Sequence, residues 1–302
     1  MLVKTVPSSS ITIDVSNKRP VGLLRSARLL PRALAYGLVV GLLSSLPAHA
    51  LDQAQAAELL SALFKVRSNG NLVMNSYYNF SIAPGDKDER LLVSERAEAL
   101  ASSTGRINEM ATTLEEGQLR EQLLRIPEIQ GQYAALLKDN IADLIERQYS
   151  DIRLVADMAQ VNQNLLTAAE TAKRSAMDAA SYQPDVMVEQ LREATLLMES
   201  MMTKYSARSA STVSQVFQGA QTDEPIDVQA VNFDKQLNAI KAALGNNAEA
   251  TKALKSIESS WFFIKGSYIN YNENNVSYVV NLYSNKIVEK LNGLLESLSK
   301  TS

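Results

Sequence analysis

Cysteine is absent from all 302 residues, and histidine occurs only once, at His49. The lack of cysteine excludes disulfide bonds, thiolate-based zinc sites and thiol nucleophiles. Beyond residue 50 histidine is absent too, so catalysis or metal binding would depend on Asp, Glu, Lys, Ser or Tyr. These absences predict a protein that is not an enzyme and carries no cofactor or metal site.

The first fifty residues have the pattern of a secretory signal peptide. An apolar stretch at 33–46 follows three arginines between residues 25 and 32 and precedes the small-residue site 48–50. This stretch is shorter than the roughly 20 apolar residues that a membrane-spanning helix needs. We therefore expect cleavage after Ala50 and a periplasmic or secreted protein without stable membrane insertion; an uncleaved anchor is the alternative.

Positive charge is scarce in the part of the chain that would remain after cleavage. Residues 1–50 hold six of the 30 basic residues and one of the 33 acidic residues. The remainder has 24 Lys and Arg against 32 Asp and Glu, a formal charge of −8. Such a charge disfavours nucleic acid or an anionic membrane as the main partner. A partner protein or a small ligand is the expectation.

Helix-forming residues dominate from residue 51 onward, and no alternating apolar run is long enough to predict a strand. The sequence predicts an all-α, up-and-down helical bundle of six to eight helices. The predicted N-terminal caps are Asp52, Asp86 and either Asn246 or Asn247. A break or kink is predicted at residues 68–71 and a turn at 83–86, and a short helix is expected to end at Pro127.

The longest helical pattern covers residues 128–181, where apolar side chains recur at steps of three and four. This element suggests two tandem bundles that share a long helix. We divide the chain into an N-terminal bundle at 51–182 and a C-terminal bundle at 183–302, with a linker at about 219–225. The same long helix suggests an alternative function, an elongated coiled-coil-like structural or assembly subunit of the cell envelope.

Aromatic residues are few, at 6% of the chain, and they concentrate near its C-terminal end. The main cluster consists of Trp261, Phe262, Phe263, Tyr268 and Tyr271. It marks either a core or a binding face, since aromatic side chains dominate both. The core is favoured because Trp261 continues an apolar helical stripe from Leu254 and Ile257. Three consecutive residues cannot share one helix face, so at least one of residues 261–263 must point elsewhere.

A second candidate site contains three methionines within five residues, Met198, Met201 and Met202. Thioethers in an exported protein could bind copper(I). Flexible core filling is the favoured interpretation, because only Met198 and Met202 share a helix face fully.

The C-terminal part of the chain shows an ordered pattern of apolar residues and turns. The pattern consists of Phe233, Leu237 and Ile240, a turn, Leu254, Ile257, Trp261 and Ile264, a second turn, and a last helix from Val276. Over about residues 190–300 it resembles the helical input domain of type IV pilus methyl-accepting chemotaxis transducers and nitrate-sensor kinases. In that family a long first helix carries a motif similar to Arg-Met-Leu-Ser-Gln-Arg-Met, and a later helix carries the tryptophan.

The stretch that corresponds to the family motif is 197–205, where Met202 and Lys204 fit. The nearest arginines, Arg192 and Arg208, lie outside it, so the resemblance does not extend to a nitrate pocket. It implies a sensor-input-like domain that binds a ligand or partner without a signalling module of its own. A faint similarity between residues 75–80 and 266–271 also suggests that the two halves are a duplication.

Overall fold

The structure is a computed structural model that describes residues 51–210, 224–245, 247–273 and 275–299. These residues form α1 (Gln53–Ile82), α2 (Lys87–Thr113), α3 (Gln118–Arg147), α4 (Ile152–Ala180), α5 (Val186–Ala210), α6 (Ile226–Leu244), α7 (Ala248–Ile269) and α8 (Ser277–Ser299). The described ranges contain no strand, so the predicted all-α fold is confirmed. None of these helices is both long and apolar enough to cross a membrane. The predicted signal peptide and most of the predicted linker lie outside the described residues.

Helices begin at the caps that the sequence predicts. Asp52 accepts a hydrogen bond from the backbone of Gln55, whose side chain accepts one in return from the Asp52 amide. Asp86 and Asn247 cap α2 and α7 in the same way, with side-chain oxygens that accept from backbone amides. Each cap satisfies amide groups that the first helical turn leaves unpaired.

The eight helices pack as two rings of four. In the first ring α1, α2, α3 and α4 each contact the next helix, and α4 closes the ring on α1. In the second ring α5, α6, α7 and α8 repeat this order. Short loops make consecutive helices of the first ring antiparallel, and the pairs Lys204–Glu224 and Ser200–Gln229 show that α5 and α6 are antiparallel too, as in an up-and-down four-helix bundle. The rings meet where α1 packs against α5, a contact that we call the seam.

Across the seam α1 and α5 run parallel. Ser68 bonds to Glu199 and Asn75 bonds to Ser206, and both pairs are 131 residues apart. A constant offset requires parallel helices, because antiparallel helices would pair at a constant sum of residue numbers. If each helix of one ring is exchanged with its counterpart in the other, the main helix contacts are preserved. The fold therefore has an approximate internal two-fold relation about the seam.

Each ring has its own apolar core. The two cores approach each other near Phe64 of α1, which packs against the second core, and Ala207 of α5, which joins the first. The predicted boundary between residues 182 and 183 falls between α4 and α5. Because the two rings belong to one compact unit, their division into separate domains stays a prediction.

The prediction of one long helix over residues 128–181 is wrong. It is interrupted between α3 and α4, where Gln148 adopts a left-handed conformation with φ 63°. The Asp151 side chain then caps α4 by accepting from two backbone amides. In this loop Ser150 accepts a hydrogen bond from the buried Tyr77 hydroxyl, which fixes the loop over the first core. The rings therefore share no helix.

A break at 68–71 and a helix end at Pro127 are also wrong, because packing overrides local preference; a kink at 68–71 stays a prediction. Helix α1 continues through residues 68–71, and Gly70 lies where α4 approaches closely. A Cβ atom at this glycine would lie 2.8 Å from the Asn162 Oδ1 atom, so glycine serves interhelical contact rather than a turn. Pro127 lies inside α3, between the buried Ile126 and Ile129, and the apolar contacts of this face offset the lost backbone bond.

Candidate functional site

A large cavity runs along one side of the seam. It has a volume of about 780 Å³ and lies between α1, α4, α5 and α6; we call it the seam groove. Its lining includes Arg67, Asn71, Tyr78, Asn162, Gln163, Leu166, Glu170, Leu197, Thr203, Lys204 and Gln236. This volume is within the range of small-molecule sites, and both rings contribute to its walls.

Charged side chains brace the two walls of the seam groove. On the first-ring side, Glu170 accepts from Arg67 at 2.6 Å and from Arg174 at 3.1 Å, which ties α4 to α1. On the second-ring side, Lys204 donates to the Glu224 carbonyl oxygen at 2.8 Å. The groove therefore presents both signs of charge, and the carboxylate of Glu170 is shared between two guanidinium groups.

Uncharged polar groups of the groove have unused hydrogen-bonding capacity. Asn162 is only 6% exposed, and its Oδ1 atom has no hydrogen-bond partner among the described residues. The Oε1 atom of Gln236, on the opposite wall, also lacks one there. A buried polar group without a partner costs about 1–3 kcal/mol. Together with the apolar Leu166 and Leu197, these amides could contact a ligand that has both polar and apolar parts.

Behind the groove lies a buried acid, Glu199 of α5, with 0% of its surface exposed. Its Oε1 atom accepts a hydrogen bond of 2.6 Å from the Ser68 hydroxyl, whereas its Oε2 atom has no partner in the described structure. Burial raises the pKa of Glu199 from 4.5 to about 7, although Ser68, Arg96, Arg67 and Asn71 act in the opposite direction. The group therefore changes protonation state near neutral pH.

A network of amide side chains continues the seam beyond Glu199. Asn281 of α8 donates to Asn79 at 2.9 Å and to Ser206 at 3.0 Å, and it accepts from Asn75 at 3.0 Å. Asn75, Asn79 and Asn281 border a second cavity, of about 140 Å³, on the other side of the seam between α1, α2 and α8. We call it the amide pocket; its polar lining includes Asn75, Asn79, Asn281, Asn285, Glu89 and Arg96.

The methionine stretch divides between core and groove. Met198, Met201 and Met202 are all buried in the second core, where the favoured interpretation places them. Lys204 instead lines the seam groove. The stretch thus lines the candidate site with Leu197 and its polar residues rather than with its thioethers.

The aromatic cluster is divided between buried and exposed side chains. Trp261 is only 3% exposed; its indole donates to Asp234 at 3.0 Å, and its ring packs edge-on against Phe233. Tyr268 is buried beside it, and Tyr271 lies under the Arg208 guanidinium. By contrast, Phe262 is 88% exposed and Phe263 is 61% exposed.

The residues that build the seam are not among the site residues that the sequence predicts. Ser68, Asn71, Asn75 and Asn79 recur every three or four positions and so form one polar stripe on α1, where the sequence instead suggested a break. Glu199 stands within the apolar run 197–202, an unusual place for a carboxylate. Both patterns were visible signals of a polar helix contact.

No protein-family model, curated protein or solved structure matches this chain. The resemblance to helical sensor input domains therefore stays a prediction.

Proposed function

We propose that this chain is an exported, non-enzymatic binding protein that takes a small ligand into the seam groove. The observation that carries the proposal is the groove itself, a cavity of about 780 Å³ between the rings. Its position suits a sensor-input-like role, because a ligand there would contact α1 and α4 of one ring and α5 and α6 of the other.

The chemistry of the lining supports binding rather than catalysis. The groove offers amides, hydroxyls and braced ion pairs but no histidine or cysteine, which do not occur beyond residue 50. Asn162 and Gln236 supply unmet hydrogen-bond acceptors, and Tyr78 and Leu166 supply apolar surface. A ligand that donates hydrogen bonds would relieve the cost of these unpartnered oxygens.

A thermal-shift screen of small metabolites against the purified protein tests the proposal. A ligand at about 100 times its Kd stabilises a protein by about 2.7 kcal/mol, which raises Tm by several degrees. Gln163→Trp, on the exposed wall of the groove, should abolish the shift by filling the cavity. The neighbouring Asn164→Trp is the matched control, because this residue is also exposed on α4 but does not line the groove.

Two results would contradict a small-ligand function. One is a screen in which no compound shifts the melting temperature; the other is a shift that survives Gln163→Trp unchanged. Loss of the shift in Gln163→Trp with retention in Asn164→Trp would support binding in the groove.

A partner protein is the second candidate, because Phe262 and Phe263 expose large apolar surface on α7. Phe263 packs against Tyr283 of α8, with ring centroids 4.7 Å apart, so the exposed surface continues onto a second helix. The elongated spacer has lost its supporting observation, since residues 128–181 form two helices instead of one.

A further inference from the structure

Glu199 has a position that no other charged residue of the described chain shares. Among the buried polar residues it is the only acid, and no basic residue is buried with it. It lies in the seam, between Ser68 on α1 and the second core, with Asn71 and Thr203 separating it from the groove. A change in its charge therefore acts on the helices that form the floor of the seam groove.

The groups around Glu199 suit a neutral acid better than a carboxylate. Ser68 donates to one oxygen and the Asn71 amide also acts on the carboxyl group, but the Oε2 atom has no hydrogen-bond partner among the described residues. A neutral acid tolerates this environment, whereas a buried charge without a close counter-ion is strongly unfavourable.

Charged groups influence Glu199 from only some of the packed elements. From α2 and α1, Arg96 and Arg67 act on it through their charge, but Arg67 is already paired with Glu170 of α4. On α6 and α8, which also pack against α5, the buried residues are all neutral. The other titratable side chains on this side of the seam line the groove: Tyr78, Glu170, Arg174, Glu193, Lys204, Glu224 and Lys235.

We propose that the seam groove responds to protons: protonated Glu199 holds α1 and α5 together, and its ionisation loosens the seam and widens the groove. An ionised Glu199 needs either water or a guanidinium group. Water enters if α1 and α5 move apart, and Arg67 reaches Glu199 only by leaving Glu170, which releases α4 from α1. Both changes separate the walls that α4 and α6 form. Arg96 approaches instead from α2, on the side of the amide pocket, and if it alone paired with Glu199 the walls would stay in place, so an unchanged distance would count against the proposal. This regulation rests on the proposed binding function, but the movement itself needs no ligand.

The test measures the distance across the groove in the full chain without ligand. Because the chain has no cysteine, Thr171→Cys on α4 and Asn238→Cys on α6, both exposed, provide two unique sites for nitroxide labels. Double electron–electron resonance at about pH 5.5 and about pH 8.5, on either side of the Glu199 pKa, should show a longer mean distance at the higher pH. Glu199→Gln, which cannot ionise, should keep the shorter distance at both values.

Glu193→Gln is the matched control, since Glu193 also lies on α5 and lines the groove but is exposed. In this variant the mean distance between the labels should increase with pH as it does in the parent. An unchanged distance in the parent protein, or equal widening in Glu199→Gln, would overturn the proposal. If Glu199→Gln does not fold, carboxyl ¹³C NMR of the parent replaces it, and the distance must then change with the titration of Glu199. Since neither readout uses a ligand, a failed metabolite screen and a failed proton response remain distinguishable.

Discussion

The core of the second ring and the seam between the rings are stabilised by different forces. In the core, Trp261, Phe233 and Tyr268 pack ring against ring with almost no exposed surface. In the seam, Ser68 pairs with Glu199, and Asn281 joins polar side chains from both rings. Apolar burial is strong and non-directional, whereas hydrogen bonds contribute little net free energy but demand geometry. The rings therefore provide stability, and the seam is where a small change in charge can alter structure.

The largest expected effect is in the core. Trp261→Ala should lower the free energy of unfolding by about 3–5 kcal/mol, because it leaves a cavity beside Phe233 and Tyr268. Denaturant unfolding followed by circular dichroism measures this loss. A loss below about 1 kcal/mol would mean that the second ring does not depend on this tryptophan.

The second largest effect on stability is expected in the seam, where the free energy of unfolding should depend on pH. The unfolded chain releases the Glu199 proton near pH 4.5, whereas the folded chain keeps it up to about pH 7. Between these values the folded state binds more protons, so stability should fall as pH rises, by at most about 3 kcal/mol. Unfolding measured from about pH 4 to pH 8 should show this decline in the parent and a much flatter profile in Glu199→Gln. Parallel profiles would assign the pH dependence to other groups.

A smaller effect is expected in the amide network. Asn281→Ala should cost about 1–2 kcal/mol, because Asn75, Asn79 and Ser206 lose a shared partner. The exposed Asn285, one helical turn further along α8, gives the control: Asn285→Ala should change stability by less than about 0.5 kcal/mol. Equal values for the two variants would show that the network adds nothing to the seam.

The smallest effect on stability is expected at Phe262, the residue that directly follows Trp261 in the sequence. Phe262→Ala should change the free energy of unfolding by less than about 0.5 kcal/mol, because this ring is 88% exposed. Denaturant unfolding alongside Trp261→Ala makes the comparison direct. A loss comparable to that of Trp261→Ala would contradict the outward position of Phe262.

Local signals in the sequence were sufficient for the fold class and for most helix ends. Asp52, Asp86 and Asn247 cap helices because their side chains bond to amides within the next few residues, which is a strictly local interaction. The interruptions predicted at Gly70 and Pro127 were wrong because contacts between helices distant in sequence decide the structure at these positions. The break at Gln148 was missed because the apolar spacing of three and four continues across it, although Ser150 and Asp151 just after it are residue types that favour helix N-caps.

The candidate site was much less predictable. The resemblance to the family motif at 197–205 rests on Met and Leu residues. The residues of this stretch that reach the seam and the groove are mainly polar. Their partners lie about 131 positions earlier, and no spacing within one helix reveals which two helices meet. Residues 75–80 and 266–271 end α1 and α7, which hold different positions in their rings, so their similarity does not follow the two-fold relation of the fold, and the duplication stays a prediction.

The parallel packing of α1 and α5 has a consequence for how the two sides of the seam can differ. Two identical subunits arranged in this way would carry every cavity twice, because symmetry copies each residue to both sides. In a single chain each side is encoded separately, and here one side forms a groove of about 780 Å³ while the other keeps only about 140 Å³. Covalent linkage also makes the assembly of the two halves independent of protein concentration. The molecule can thus offer one specialised site where a symmetric pair would be obliged to offer two equal ones.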